Sequence, residues 1–438
     1  MRKAWSIFCD CPELAVDLAR DAGRIGLPVE PEVHDDPWTP AIAALTDGAQ
    51  VALAVGQPLA PDTAVELADA GIAASRQVPL ALIGPQPLDL FHDLGLAAVH
   101  ETGPLLAVAA LLSVGTERPW AATTSELPAV DRLRLGESVS HRSDGRFVRV
   151  DDGLIGHESG ESEPIRVGTP RDVAAALHAM RACRDASRPK VPVVQGVESE
   201  AVMDVILGPA RALSDPASKA ALRQYDVPLP LEELCATPSR AASESSRIGF
   251  PVRVALASPD LRLWDHPDLA AEVYSGGQAR DAFRQIMAVA KSRSRNARLL
   301  GVTVSASTTA RTLLRIRMEP LAAGPVLTEI GFADPHGRAS ADSTRTVLPA
   351  TARALERVLL RLRGSSLLLG GTPQERSAAV STIGDVLMRL AAFVHQWRDE
   401  IEAVEVNPLA ILVGGDLELR EACVTVGDAF SRSLNASG

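Results

Sequence analysis

The chain has 438 residues, of which 46% are apolar and 23% charged, the balance of a soluble globular protein with two or three domains. Aromatic residues make up only 3%, so the core must be built from Ala, Leu and Val. The formal net charge of −11 argues against a general nucleic-acid or anionic-membrane binder.

Residues 1–113 alternate short apolar strands with segments of helical spacing. The predicted strands are Gln50–Val55, Val78–Ile83 and Ala97–His100. The predicted helices are Pro12–Ala22, Pro61–Ser75, Leu88–Leu94 and Gly103–Leu112. This order predicts βαβ units on a parallel sheet. These residues contain no GxGxxG sequence, so a dinucleotide site is not indicated there.

Residues 114–205 differ in composition, and we interpret them as a connector or small insert. A predicted hairpin joins Arg146–Val150 to Leu154–Ile155 around an Asp-Asp-Gly turn. Thr169–Ala186 is predicted to be a helix, because Thr169 before a proline suits a helix N-cap.

Residues 206–438 are predicted to form an α+β domain with a mixed or antiparallel sheet. The predicted helices are Asp215–Tyr225, Thr237–Ile248, Gln278–Lys291, Ala350–Arg363 and Gln374–Trp397. The predicted strands are Pro251–Ala257, Leu300–Ser305, Thr312–Arg317, Val326–Ile330, Ala403–Val406 and Leu409–Val413, followed by a last hairpin of Leu417–Arg420 and Cys423–Val426.

The five cysteines are scattered and form no CxxC pair, so neither a zinc site nor a disulfide framework is indicated. The segment Met1–Cys9 is too short and polar for a signal peptide. No apolar run reaches the ~18–20 residues of a membrane span. We therefore expect a cytoplasmic protein with no membrane or nucleic-acid partner.

Several short motifs of the last 230 or so residues resemble, in order and approximate spacing, the ATP-grasp domain of the NDP-forming acyl-CoA synthetases, the acetate–CoA ligase (ADP-forming) family. Ile248-Gly249-Phe250-Pro251-Val252 resembles that family's "IGYPVVLK" strand, and Ser258-Pro259-Asp260 resembles its "SPDI". Arg361-Leu362-Arg363-Gly364 resembles "LRGxPLL", and Glu405-Val406-Asn407-Pro408-Leu409 resembles "ELDINPL". Residues 1–113 resemble the family's flavodoxin-like ligase subdomain.

The resemblance implies an α/β protein, with a flavodoxin-like parallel-sheet domain (1–113), the connector (114–205) and an ATP-grasp-like domain (206–438). It also implies Mg²⁺ and ATP or ADP as ligands, with CoA supplied through a partner subunit. Glu405 and Asn407 match the magnesium-binding pair of "DINP". They are two apart on a predicted strand, so both side chains share a face, and their oxygens suit Mg²⁺. The alternative is a Glu and an Asn at a solvated strand end.

The sequence departs from the family at positions that carry the chemistry. The phosphate-binding lysine of "PVVLK" falls on Ala255, and the relay histidine of "HKSDxGG" falls on Leu263. The chain has only four lysines, and Lys219 and Lys291, on helices elsewhere, are poor substitutes. Arg311 stands where the family has an acidic residue.

Two histidines are weak candidates for the missing relay group. His266 lies three places from the aligned position and precedes a proline. His157, flanked by glycines in a polar stretch, could serve as a swinging phosphoacceptor, although a surface-loop histidine is the better explanation. Gly370–Pro373 is better explained by a capping box of Thr372 and Glu375 than by a phosphate loop.

Three functional hypotheses follow. The first is a divergent acyl-CoA synthetase-like subunit with impaired or lost ATP and phosphohistidine chemistry, acting with a CoA-binding partner or as a homo-oligomer. The second is an active acid–CoA ligase that binds phosphate through arginines, with Arg253, Arg311, Arg317 and Glu319 as the nucleotide-binding candidates. The third is a regulatory protein that binds a nucleotide or acyl-CoA.

Overall fold

The computed structural model describes residues 4–113, 122–123, 146–149, 154–157, 165–166, 169–183, 189–334 and 338–428. The chain divides into two compact units, Met1–Ser187 and Arg188–Gly438. The segment 114–205, predicted to be a connector, is therefore shared between the two units.

The first unit contains the parallel sheet that the sequence predicts. Its strands are β1 (Trp5–Cys9), β2 (Val29–Val33), β3 (Gln50–Val55), β4 (Pro79–Leu82) and β5 (Ala97–Val99). Its helices are α1 (Pro12–Ile25), α2 (Trp38–Thr46), α3 (Pro61–Ala73), α4 (Asp89–Leu94) and α5 (Thr102–Ser113). The strand order β2-β1-β3-β4-β5 is that of flavodoxin-like folds.

Asp10 lies where the strand order of this sheet reverses, between β1 and β3. Open α/β sheets bind ligands at the carboxyl ends of the strands beside such a point. Oδ2 of Asp10 accepts hydrogen bonds from the backbone N–H groups of Gly56 and Gln57, both at 2.8 Å. The carboxylate of Asp10 therefore already binds these two backbone donors.

The described residues between 114 and 168 form four short strands of the first unit, β6 (Ala122–Thr123), β7 (Arg146–Arg149), β8 (Leu154–His157) and β9 (Ile165–Arg166). β7 pairs antiparallel with β8, which confirms the predicted hairpin. Helix α6 (Pro170–Cys183) follows and contributes Val173, Leu177 and Met180 to the core of the parallel sheet.

The second unit begins with α7 (Ser199–Ile206), β10 (Arg211–Ala212) and α8 (Asp215–Arg223). A small antiparallel sheet follows, in the order β11-β14-β12-β13. Its elements are β11 (Glu232–Cys235), α9 (Pro238–Ile248), β12 (Val252–Ala257), β13 (Ala270–Val273), α10 (Gly276–Arg293) and β14 (Gly301–Ala306). Val252 and Val254 of β12 pack with Phe283 and Ile286 of α10 in one apolar cluster.

A larger antiparallel sheet completes the second unit, in the order β10-β20-β18-β15-β16-β17 with β19 beside β18. Its strands are β15 (Ala310–Pro320), β16 (Val326–Ala333), β17 (Ala339–Leu348), β18 (Ile401–Leu412), β19 (Leu417–Leu419) and β20 (Ala422–Val426). Its helices are α11 (Ala352–Leu360), α12 (Ser365–Leu369) and α13 (Pro373–Gln396).

The predicted last hairpin is wrong in its pairing. β19 pairs with the end of β18 at residues 409–411, whereas β20 pairs with the beginning of β18 at residues 401–406. The physical reason is the length of β18, whose 12 residues give each short strand its own stretch of backbone partners.

Helix α13 forms the centre of the main core. Its Leu387 and Leu390 belong to the same apolar cluster as Ile316 of β15 and Val404 and Val406 of β18. The predicted capping box at the start of α13 is present. Within the part of the chain that the structure describes, α13 alone is long and apolar enough to cross a membrane, and half of its most apolar stretch is buried inside the protein.

Because side chains alternate across a strand, this packing fixes the direction of the neighbouring residues. Arg315 and Arg317 of β15 and Glu405 of β18 point to the sheet face opposite α13.

Candidate functional site: the cleft between the two sheets of the second unit

An open cleft of about 460 Å³ lies between the small and the large sheet, within the usual range for small-molecule sites. The small sheet contributes Arg253 of β12, Glu272 of β13 and Ser305 of β14. The large sheet and its loops contribute residues on the other side, namely Pro408, Glu418, Arg420 and Glu421.

Lys219 lies buried beside this cleft and is fully engaged. Its Nζ donates to Oδ2 of Asp215 at 2.9 Å, to Oε2 of Glu232 at 2.7 Å and to the backbone oxygen of Arg420 at 2.8 Å. Burial opposes its charge, but the two carboxylates raise the pKa of Lys219. Since an ammonium group has three hydrogens, Lys219 has no donor left for a phosphate.

Glu421 is a buried acid in the wall of the cleft. Its Oε1 accepts a hydrogen bond from the backbone N–H of Leu263 at 3.1 Å. Burial, and then the charge of Asp215, raise the pKa of Glu421 to about 8. The carboxyl group is therefore mostly protonated at neutral pH. No sequence motif pointed to this residue.

Apolar side chains stand at the two positions where the family resemblance leads one to expect a lysine and a histidine. Ala255 is 1% exposed and lies on the same face of β12 as Arg253, opposite Ala270 and Thr303 of the neighbouring strands. Leu263 lines the cleft, is 5% exposed and belongs to the same apolar cluster as Ala255. Neither side chain can hold phosphate or carry a phosphoryl group.

Arg253 is the predicted nucleotide-binding residue that the structure places in the cleft. Among the described residues its guanidinium makes no hydrogen bond and no ion pair, although it opposes Glu272 in the sheet. The carboxylate of Glu272 accepts instead from the hydroxyls of Ser307 and Tyr274. Arg420, the other arginine of the cleft, donates to Oε1 of Glu418 at 3.1 Å and to the backbone oxygen of Thr308 at 2.5 Å. Arg253 is thus the cation that remains open to a ligand.

Arg317, Glu319 and Glu405 come together on the open face of the large sheet. Arg317 bridges the two acids: Nη2 lies 2.6 Å from Oε1 of Glu319, and Nη1 lies 2.6 Å from Oε1 of Glu405. Burial opposes the charge of the guanidinium, but these hydrogen bonds raise the pKa of Arg317. None of the three residues lines the cleft described above.

Glu405 and Asn407, the predicted magnesium pair, are not arranged as ligands of Mg²⁺. Glu405 already binds a guanidinium, and Asn407 is buried, with its backbone N–H donating to the backbone oxygen of Glu421 at 3.0 Å. Across the ranges that the structure covers, no three His, Cys, Asp or Glu side chains converge to hold a metal. The donor set as it stands does not fit a divalent ion, and the magnesium assignment stays a prediction.

The remaining sequence candidates lie apart from one another. Arg311 is exposed at the start of β15, and its Nη2 donates to the backbone oxygen of Leu368 at 3.4 Å. His266 precedes a short 3-10 helix, and its Nδ1 lies 3.0 Å from Nη1 of Arg293. His157 is the last residue of β8, opposite Arg146 in the ladder; its backbone is therefore part of a strand rather than of the expected loop.

Comparison with known proteins agrees with this architecture. Residues 205–419 match the family model described as an ATP-grasp domain. 4-Hydroxybutyrate–CoA ligase (ADP-forming) of Nitrosopumilus maritimus is 24% identical over 197 residues, which are 44% of this chain and 28% of that relative. The chain therefore spans under a third of that protein's length.

Two further similarities cover about half of this chain. Subunit beta of acetate–CoA ligase (ADP-forming) II from Pyrococcus furiosus is 21% identical over 223 residues, which are 50% of this chain and 93% of the relative. The solved acetyl-coenzyme A synthetase 1 of Ca. Korarchaeum cryptofilum, in complex with coenzyme A and Ca-AMPCP, aligns with a TM-score of 0.44 at 21% identity, covering 49% of this chain and 93% of that one. Residues 205–419 are thus an ATP-grasp domain, homologous to the beta subunits of ADP-forming acetate–CoA ligases.

Proposed function

We propose that this protein is a divergent acid–CoA ligase-like subunit whose own ATP and phosphohistidine chemistry is impaired or lost, and that it acts with a partner subunit that carries the CoA-binding domain. The observation that carries the proposal is the apolar cluster that joins Ala255 to Leu263, a residue that lines the cleft. The homologous beta subunits support the coarser assignment to the acid–CoA ligases.

The two replacements differ in their consequences. Each charge-assisted hydrogen bond to a phosphate contributes ~1.5–3 kcal/mol, so an alanine at the lysine position weakens nucleotide affinity by about one to two orders of magnitude. A leucine at the relay position removes a nucleophile, and a covalent step that needs one cannot proceed through it. Lys219 offers no replacement, because its three donors are already used.

Calorimetry with Mg-ATP tests the first half of this proposal. The isolated chain is expected to show no binding tighter than about millimolar. Micromolar binding would contradict it. Wild-type protein, Leu263→His and Leu263→Ala should be incubated with [γ-³²P]ATP in parallel and assayed for acid-labile phosphate on the protein. Labelling of the wild type would show that a relay group exists elsewhere.

Purification of the tagged chain from its native host tests the second half. The expected result is a stoichiometric partner with a CoA-binding fold. A chain that elutes alone and monomeric would exclude the partner subunit and leave the inference about the cleft to the calorimetry.

Arg253 favours a second candidate function, an active ligase that binds phosphate through arginine. A guanidinium can hold phosphate through two parallel hydrogen bonds, and that of Arg253 faces the cleft without a hydrogen-bonding partner among the described residues. Arg311 and Arg317 support this candidate less than Arg253 does, because neither of them lines the cleft. ATP turnover that survives Arg311→Met but not Arg253→Met would favour it over the first proposal.

A further inference from the structure

The open face of the large sheet carries a row of alternating charges. Glu405 of β18 lies opposite Arg317 of β15, Arg317 opposite Glu329 of β16, and Glu329 opposite Arg345 of β17. Each step of the row is a direct cross-strand neighbour, so the register of four strands brings acid and base together.

Side-chain contacts join this row into one network with Arg315 and Glu319. Arg345 lies 2.9 Å from Glu329, and Arg315 lies 3.7 Å from Glu329 and 3.9 Å from Glu405. Together with the two contacts of Arg317, these bonds connect three guanidinium groups to three carboxylates. The formal charges of the network therefore cancel without a metal ion.

Arg317 has a special place in the network because it separates two acids. Glu319 and Glu405 each direct one oxygen at its guanidinium from 2.6 Å. Mg²⁺ and Mn²⁺ prefer oxygen ligands, carboxylates among them. A divalent ion beside these oxygens would meet the positive charge of Arg317 at close range, and the repulsion would disfavour it.

We propose that the Arg317 guanidinium takes the place of a divalent cation between Glu319 and Glu405, so that this face binds no metal in the native protein and becomes a divalent-metal site once Arg317 is removed. Removal leaves the three carboxylates of the network with the guanidinium groups of Arg315 and Arg345 alone, a net charge of −1. Backbone strands hold both residues, so the two oxygens stay on the same side of the sheet.

Mn²⁺ titration followed by electron paramagnetic resonance tests this inference on the full-length chain without nucleotide. Wild-type protein is expected to show no site tighter than about 1 mM. Arg317→Met should bind one Mn²⁺ at least about tenfold more tightly, and the added change Glu405→Gln should abolish the gain. Arg345→Met is the matched control, because it removes one guanidinium of the same network that contacts only Glu329; it should leave Mn²⁺ binding at the wild-type level.

Two results would overturn the inference. One is a wild-type Mn²⁺ site that is lost in a Glu405→Gln protein with wild-type circular dichroism. The other is an Arg317→Met protein with wild-type circular dichroism and no gain in Mn²⁺ binding; Arg317→Gln, which keeps a polar side chain in the network, repeats that comparison. Because the probe is metal alone, either failure leaves the proposal about Ala255 and Leu263 untouched.

Discussion

The backbone N–H of Leu263 donates to the side chain of Glu421 at 3.1 Å, and this bond joins the segment after β12 to the segment before β20. The acceptor is an acid that burial keeps protonated to about pH 8. One side of the cleft is therefore held to the other by a titratable group.

Glu421→Gln is expected to change how stability depends on pH. The folded-state pKa of about 8 lies above the ordinary glutamate value of ~4.3, so the unfolded chain loses its proton first as pH rises. The stabilising effect of the neutral acid is full below about pH 4 and is lost as the pH rises toward about 8. Glutamine keeps the acceptor oxygen but does not titrate.

Urea unfolding at about pH 5, 6.5 and 8 measures this difference. Relative to wild type, the free energy of unfolding of the variant should increase by on the order of 3 kcal/mol from the lowest to the highest pH. A difference that stays constant over this range would show that Glu421 titrates normally.

Lys219→Met is expected to destabilise the second unit by about 3–5 kcal/mol, because it leaves Asp215 and Glu232 buried without their cation. The control Lys291→Met changes an exposed lysine and should cost less than about 0.5 kcal/mol. Chemical denaturation at neutral pH measures both. Adding Glu232→Gln to Lys219→Met should recover part of the loss; no recovery would mean that packing rather than charge is responsible.

Leu263→Ala is expected to cost about 2–4 kcal/mol through the cavity it leaves in the cluster with Ala255. Leu231, which is 63% exposed, supplies the control, and Leu231→Ala should stay within about 0.5 kcal/mol of wild type. Equal unfolding free energies for the two variants would contradict the buried position of Leu263.

Arg253→Met is expected to weaken any nucleotide or inorganic phosphate binding by about tenfold or more, the effect of losing one charge-assisted contact. Arg311→Met should leave that affinity unchanged, because Arg311 is exposed and outside the cleft. Calorimetry with ATP, ADP and phosphate compares the two variants. Equal affinities would remove Arg253 from the site.

The sequence indicated elements whose signal is local. β12 and α13 were predicted within a residue or two, since an apolar run and a capping box mark them. β2 and β17 were missed. Both are edge strands with few apolar residues, VEPEV and ASADSTRTVL, so neither apolar runs nor clear alternation distinguishes them from loops.

The chemistry of the site depended more on register than on residue type. Arg317, Glu319 and Glu405 are each candidates from the sequence, yet the contact of Arg317 with Glu405 arises from the pairing of β15 with β18, which are 80 or so residues apart. Glu421 gave no local signal at all. Its pKa is raised first by burial and then by the charge of Asp215, and only folding brings about both.

The carboxylate of Asp10 has a consequence for the first unit. Two amides at the end of the parallel sheet already hold an internal anion, so a phosphate or carboxylate arriving from solution would meet a negative charge in place of vacant N–H groups. A flavodoxin-like topology can in this way persist as a scaffold while one of its own side chains occupies the donors beside the strand ends, and Asp10→Gly is the change that would free them.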